Sequence, residues 1–369
     1  METTRAVVAV TARNLRLLRR RPDLLAQAVL VPIVLLILNA LIFGAGGDDW
    51  PVAVVDKAKS ERSAALTGAI NESSSRITPY FRVVETDPVP ATQMIENGRL
   101  QLMIEIPEDF DASGRVRIST YNINSDATKN LRLRVEDALN AYDADAGRLD
   151  LAVDLRTVRP DDIPRTGFIA GGVLLLALFF GATLLAANLF AIEQEGRTAK
   201  EILLSPAGPA TAALGALISG TAAAFLTALP TYLTARFAFG LNPDPGALLL
   251  VVLFMVPVMV AGAGLGTLLA HLLRVHRSIQ PLVILTGIAT FFVAGGFVSV
   301  PGLPSTARNF AAWWPPSRVF EWSNPVLHGF AGSFSPTQWG WVIGVAVLGM
   351  AAAAYAGHRE LGTPQRGGQ

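Results

Sequence analysis

The chain has 369 residues, of which 51% are apolar and only 16% charged, against roughly 25% charged in an ordinary soluble protein. A net charge of +1 gives no basic excess for a nucleic-acid partner, and the lack of cysteine excludes disulfides, thiolate nucleophiles and cysteine metal sites. The four histidines, His271, His276, His328 and His358, show no ligand-like spacing, so structural or surface roles suit them best.

Residues 1–23 carry Arg5, Arg13, Arg16, Arg19, Arg20 and Arg21, interleaved with valine and leucine. This pattern reads as a basic amphipathic elbow helix at a membrane surface, its arginines reaching anionic lipid. The run 24–47 is charge-free. It is longer than a signal-peptide core and has no Ala-x-Ala site, so it reads as a first, uncleaved span with Pro32 inside it.

Residues 48–165 differ in composition, with 21 acidic and 15 basic side chains. Strands are predicted at 51–56, 81–85, 102–107 and 116–121, and helices at 60–71, 89–96 and from Asp126 onward. Strands alternating with helices imply an α/β domain large enough to bury its own core. In the last helix Val135, Ala138, Tyr142, Ala146, Leu149 and Val153 are spaced as one packed face. Asp56 at the end of the first strand suits a turn or capping role better than a catalytic one. The same holds for the acidic run at 108–111.

Further apolar spans are expected at 167–191, 210–234, 246–270, 279–299 and 336–356, which makes six in all. Between the second and third lies a charged segment, 192–209, with Glu193, Glu195, Arg197, Lys200 and Glu201 ahead of Ile202, Leu203 and Leu204. It could simply cap two spans or form an interfacial helix for a soluble partner. Lysine and arginine favour the segments that share a side with the N-terminus, so both termini (the tail is 357–369) and the 192–209 loop are placed in the cytoplasm. The 48–165 domain then lies outside. The segment 300–335 holds Trp313, Trp314 and Trp322 and is expected to re-enter the outer membrane face as non-helical backbone. No Lys, Arg, Asp or Glu falls inside the expected spans. That disfavours a proton-coupled pump and an intramembrane enzyme. There is no Walker A sequence, so the chain is not itself an ATPase of that class.

The fold class is therefore a polytopic α-helical membrane protein of six transmembrane helices with an inserted extracellular α/β domain. This arrangement resembles the permease subunit of ABC-2 (type V, exporter-like) ABC transporters over nearly the whole length. The resemblance is carried by Val-Ala-Val-Val-Asp at 52–56 and Met-Ile-Glu-Ile-Pro-Glu-Asp-Phe at 103–110. Its signature is Glu193, Glu195, Thr198, Leu203, Leu204, Ser205 and Pro206, with Arg197 where a common family form has glycine. The run from Thr286 to Ser299, followed by Leu303-Pro304, is similar to the family's fifth span and outer region.

The resemblance implies a non-enzymatic subunit of an exporter in the cell (inner or plasma) membrane. Residues 192–209 would be a coupling helix docking on a separate ABC ATP-binding subunit, with Glu193 and Glu195 meeting basic groups there. This chain would bind no cofactor, and ATP and magnesium would belong to that partner. A homodimer, or a pair with a closely related second permease, would form the path. Membrane lipids surround it, and an extracellular accessory protein is a further candidate partner. The charge-free spans favour an apolar or amphipathic cargo, a lipid or drug. The alternative is a non-transporting scaffold that displays a protein-binding domain.

Overall fold

A computed structural model describes residues 2–43, 49–74, 79–97, 99–100, 102–120, 125–145, 163–195, 210–298, 300, 303 and 305–359. The chain divides into two units: Met1–Ile42 with Arg165–Gln369, and Phe43–Pro164.

The first unit is helical. Helices α1 (Glu2–Arg20) and α2 (Pro22–Phe43) open it. In the inserted unit, the helices are α3 (Glu61–Glu72), α4 (Pro88–Glu96), α5 (Phe110–Ser113) and α6 (Ser125–Asp145). The first unit then resumes with α7 (Arg165–Glu195), α8 (Thr211–Phe239), α9 (Pro245–Leu273) and α10 (His276–Val293). It ends with α11 (Ser305–Trp313), α12 (Pro315–Leu327) and α13 (Pro336–Arg359). Among the described residues, five helices, α2, α7, α8, α9 and α13, are long and apolar enough to cross a membrane.

Helix α7 is the central element, with 89% of its apolar window buried, and α8, α9, α10 and α12 pack around it. Glycine makes this closeness possible. A Cβ on Gly220 of α8 would lie 2.6 Å from the backbone nitrogen of Ala186 on α7. One on Gly264 of α9 would run into the carbonyl of Gly349 on α13. Such small-residue seams are the usual basis of helix association where no water is displaced.

The helix expected over 279–299 is present but ends sooner. α10 stops at Val293, and its apolar stretch Arg277–Val293 is shorter than the other five. Gly295 adopts φ +93°, a left-handed conformation that ends the helix, and Asn324 Nδ2 donates to its carbonyl at 3.3 Å. Within 300–335 the expectation of non-helical backbone is corrected, since much of the segment is helical. Pro315 and Pro316 preset the first turn of α12, and Phe320, Val326 and Leu327 bury its apolar face. Trp322 of α12 meets Phe254 of α9 and Trp341 of α13, with centroids 6.4 and 5.4 Å apart. His328 stacks on Phe168 at 6.0 Å, a packing role.

The inserted unit carries a four-stranded sheet, β1 (Trp50–Asp56), β2 (Phe81–Glu85), β3 (Leu102–Ile106) and β4 (Arg117–Thr120), in the order β2-β1-β3-β4. β1 pairs parallel with β2 and β3, and β4 runs antiparallel to β3. Central strand β1 is buried on both faces, as its unbroken Val-Ala-Val-Val run requires. Val52 and Val54 meet Leu66 and Ile70 of α3 and Leu131, Val135, Ala138 and Tyr142 of α6. Ala53 and Val55 meet Ala91 and Ile95 of α4. Ser60 caps α3 through a reciprocal bond with Ser63, and Asp56 accepts from Lys59 N (3.0 Å) and Ser63 Oγ (2.7 Å). Asp56 is thus a turn residue. The expected helical positions Ala146, Leu149 and Val153 lie outside the described residues.

Gly264→Val should destabilise the helical unit by about 1–3 kcal/mol through overpacking. Gly332→Ala, with nothing within 4 Å of its added methyl, should be close to neutral. Thermal unfolding in detergent compares the two, and equal midpoints would count against the backbone seam.

Candidate functional site

The charged segment at 192–209 begins in the last turn of α7. Only its first residues, up to Glu195, are described. Thr198, Leu203, Leu204, Ser205 and Pro206 lie outside the described residues, and the chain is described again from Ala210, the residue before α8.

The two acidic residues have different surroundings. Glu195 is exposed. Glu193 is only 3% exposed, and its Oε1 accepts from Nη2 of Arg13 on α1. Within the chain, Arg13 supplies a basic group to Glu193. Arg13 Nη2 also donates to Asn14 Oδ1 at 3.2 Å, and Asn14 is fully buried. Burial lowers the Arg13 guanidinium from its ordinary value. Arginine nonetheless remains protonated, so the contact is a true ion pair.

The same helix is also fastened to α8. Val10 sits directly over Gly215, where any side chain would collide with it. Ser219 Oγ bonds the carbonyls of Gly215 (2.6 Å) and Thr11 (3.4 Å). Leu18 completes the buried stripe of α1, while Arg5, Arg16, Arg19 and Arg20 stay exposed. The N-terminal helix thus touches both helices that flank the 192–209 segment. Its arginines divide into one that is structural and several that face outward. In the sequence these five arginines look alike. The one available signal was that Arg13 precedes Asn14, a polar residue on what becomes the buried stripe.

Chemically, this arrangement can hold position and transmit movement. Among the described residues, no group of three His, Asp or Glu side chains is placed to hold a metal ion.

A family model described as ABC-2 family transporter protein matches residues 24–355. No curated protein and no solved structure matches the chain. The match begins after α1, so Arg13 lies outside it while Glu193 lies within.

Arg13→Leu leaves the Glu193 carboxylate buried without its counter-charge. It should cost about 1–3 kcal/mol, discounted because Arg13 is 41% exposed. The double variant Arg13→Leu/Glu193→Leu should recover most of that loss. Thermal unfolding of the four proteins in a double-mutant cycle measures the coupling, and additive losses would show that the two side chains act separately.

Proposed function

The chain belongs to the ABC-2 transporter family, and from that premise we propose that it is the membrane-spanning subunit of an ATP-driven exporter. The cargo is apolar or amphipathic, a lipid or a drug. The observation that carries this reading is the family match over residues 24–355. The five long apolar helices support it, as does the near absence of ionised side chains between their ends.

Family membership implies an ABC ATP-binding partner. In this reading that partner is a separate chain that holds ATP and magnesium, and residues 192–209 dock on it from the cytoplasm. Glu195, Thr198, Leu203, Leu204, Ser205 and Pro206 form the docking element. Glu193 has a different part: it ties the base of that element to α1. Nucleotide binding moves the loop, and α7 and α8 carry the movement into the bilayer. A transporter needs two states that nucleotide favours unequally. Two copies of the chain, or this chain and a close relative, enclose the path, and cargo leaves outward along their seam. The inserted α/β unit stands on the far side, where it gates release or meets an accessory protein.

Two measurements test this. Co-purification with a co-expressed candidate ABC ATP-binding protein should succeed and should fall at least about tenfold for Leu203→Asp/Leu204→Asp, since two apolar anchors are replaced by charge. Unchanged retention would remove the loop from the interface. Because the chain has no cysteine, Arg197→Cys gives a single thiol. A membrane-impermeant maleimide should label it only in permeabilised cells, and labelling in intact cells would reverse the orientation.

A further inference from the structure

Asn188 of α7, Gln280 of α10 and Gln27 of α2 form a line of amides across three helices. Gln27 Nε2 donates to Gln280 Oε1 at 3.4 Å. Gln280 Nε2 in turn donates to Asn188 Oδ1 at 3.4 Å. Both ends of the line are open. Asn188 is fully buried, yet its Nδ2 has no hydrogen-bond partner in the protein. At the other end the buried Oε1 of Gln27 has none either.

Unpaired buried amide atoms are costly and uncommon. Packing does not require them here, since Ala186, Ala187 and Leu189 beside Asn188 are apolar and buried. A leucine at position 188 would suit a lipid-embedded helix better. What the line offers is the unpartnered NH₂ of Asn188, with its two N–H donors, the unpartnered carbonyl oxygen of Gln27 and no charge. The nearest ionised group along α7 is Glu193, and Arg13 already neutralises it.

We propose that Gln27, Asn188 and Gln280 form a neutral hydrogen-bonding site that takes the hydroxyl or amide headgroup of an amphipathic cargo. Asn188 donates to that group and Gln27 accepts from it. Gln280 is a positioning residue that holds the two at a fixed spacing. An ionised phosphate would find no cation in the site, and a plain hydrocarbon would leave both ends unfilled. The inference deepens the exporter reading and rests on it for the identity of the ligand as cargo.

The test is equilibrium binding to the purified full-length chain in nanodiscs. The probes are a fluorescent monoacylglycerol, its di-O-methyl ether and the corresponding phosphate ester. The free glycerol should bind saturably and about tenfold or more tighter than the ether, which cannot donate. The phosphate ester should bind no tighter than the ether. Gln27→Leu should weaken the glycerol by about tenfold and leave the ether unchanged, whereas Asn188→Leu should weaken both, because the ether oxygens still accept from Asn188. The comparison of probes on the unaltered chain needs no variant to fold. The proposal is overturned by absence of saturable binding, by equal affinity for glycerol and ether, by tightest binding of the phosphate ester, or by insensitivity to both variants. Retention of the ATP-binding protein, measured on the same preparations, separates the two ideas. Retention without a hydroxyl preference removes the site and leaves the exporter. A hydroxyl preference without retention does the opposite.

Discussion

Backbone meets backbone along α7, where Ala186 lies against Gly220 and the Thr183 carbonyl lies against Gly266. Apolar helices in lipid gain little from leaving their solvent, because acyl chains are as apolar as leucine. What holds them is the dispersion of close packing, and close packing needs small residues at the crossings. The glycines of α8 and α9 supply those crossings, and α7 is enclosed as a result. The segment at 192–209 therefore leaves from the most tightly held helix of the unit. A push on its base moves a packed bundle and not a single span.

The Arg13–Glu193 pair acts on the same region by a different force. A carboxylate at 3% exposure is unfavourable by several kcal/mol unless a counter-charge reaches it. α1 is the element that brings one, and its seat on α8 through Val10, Thr11 and Ser219 fixes where Arg13 can reach. Two weak positional constraints and one strong electrostatic one therefore define the same docking. The family match starts at residue 24 and does not cover α1. The anchoring of α1 is accordingly a reading from this chain's own residues, independent of the likeness that identifies the rest.

Much of the fold was legible before any coordinates. Periodicity placed α3, α4, β2 and the buried β1, and the capping role of Ser60 followed from its position ahead of an apolar helical face. The apolar runs gave the long helices, because length and lack of charge are sufficient signals there. The end of α10 was not legible. Gly295-Gly296 reads equally as a packing pair within a span or as a stop, and only the left-handed φ of Gly295 decides. The helices at 305–327 were hidden because prolines and tryptophans suggest irregular backbone, whereas proline in a first turn favours a helix. At the candidate site, the sequence groups the two acidic residues without telling them apart. Nothing in composition or spacing distinguishes an exposed Glu195 from a buried Glu193. Their difference arises from the pairing partner, 180 positions away in the chain.

Charge and polarity are divided along the helices in a way that narrows the chemistry. Among the described residues, the carboxylate buried at a helix end, Glu193, is compensated on the spot, whereas about one turn and a half along α7 the polar group is an amide, Asn188, bonded to the amide of Gln280, and neither carries charge. Ion-coupled carriers need groups that change charge at depth, and amides do not titrate. In the exporter reading proposed above, energy for a cycle arrives mechanically through the segment between α7 and α8, and selectivity rests on hydrogen bonds and shape. In the exporter reading, the ionised pair holds the lever while the neutral amides meet the cargo, and the two tasks are kept apart because a free charge beside the path would favour ions over amphipathic molecules.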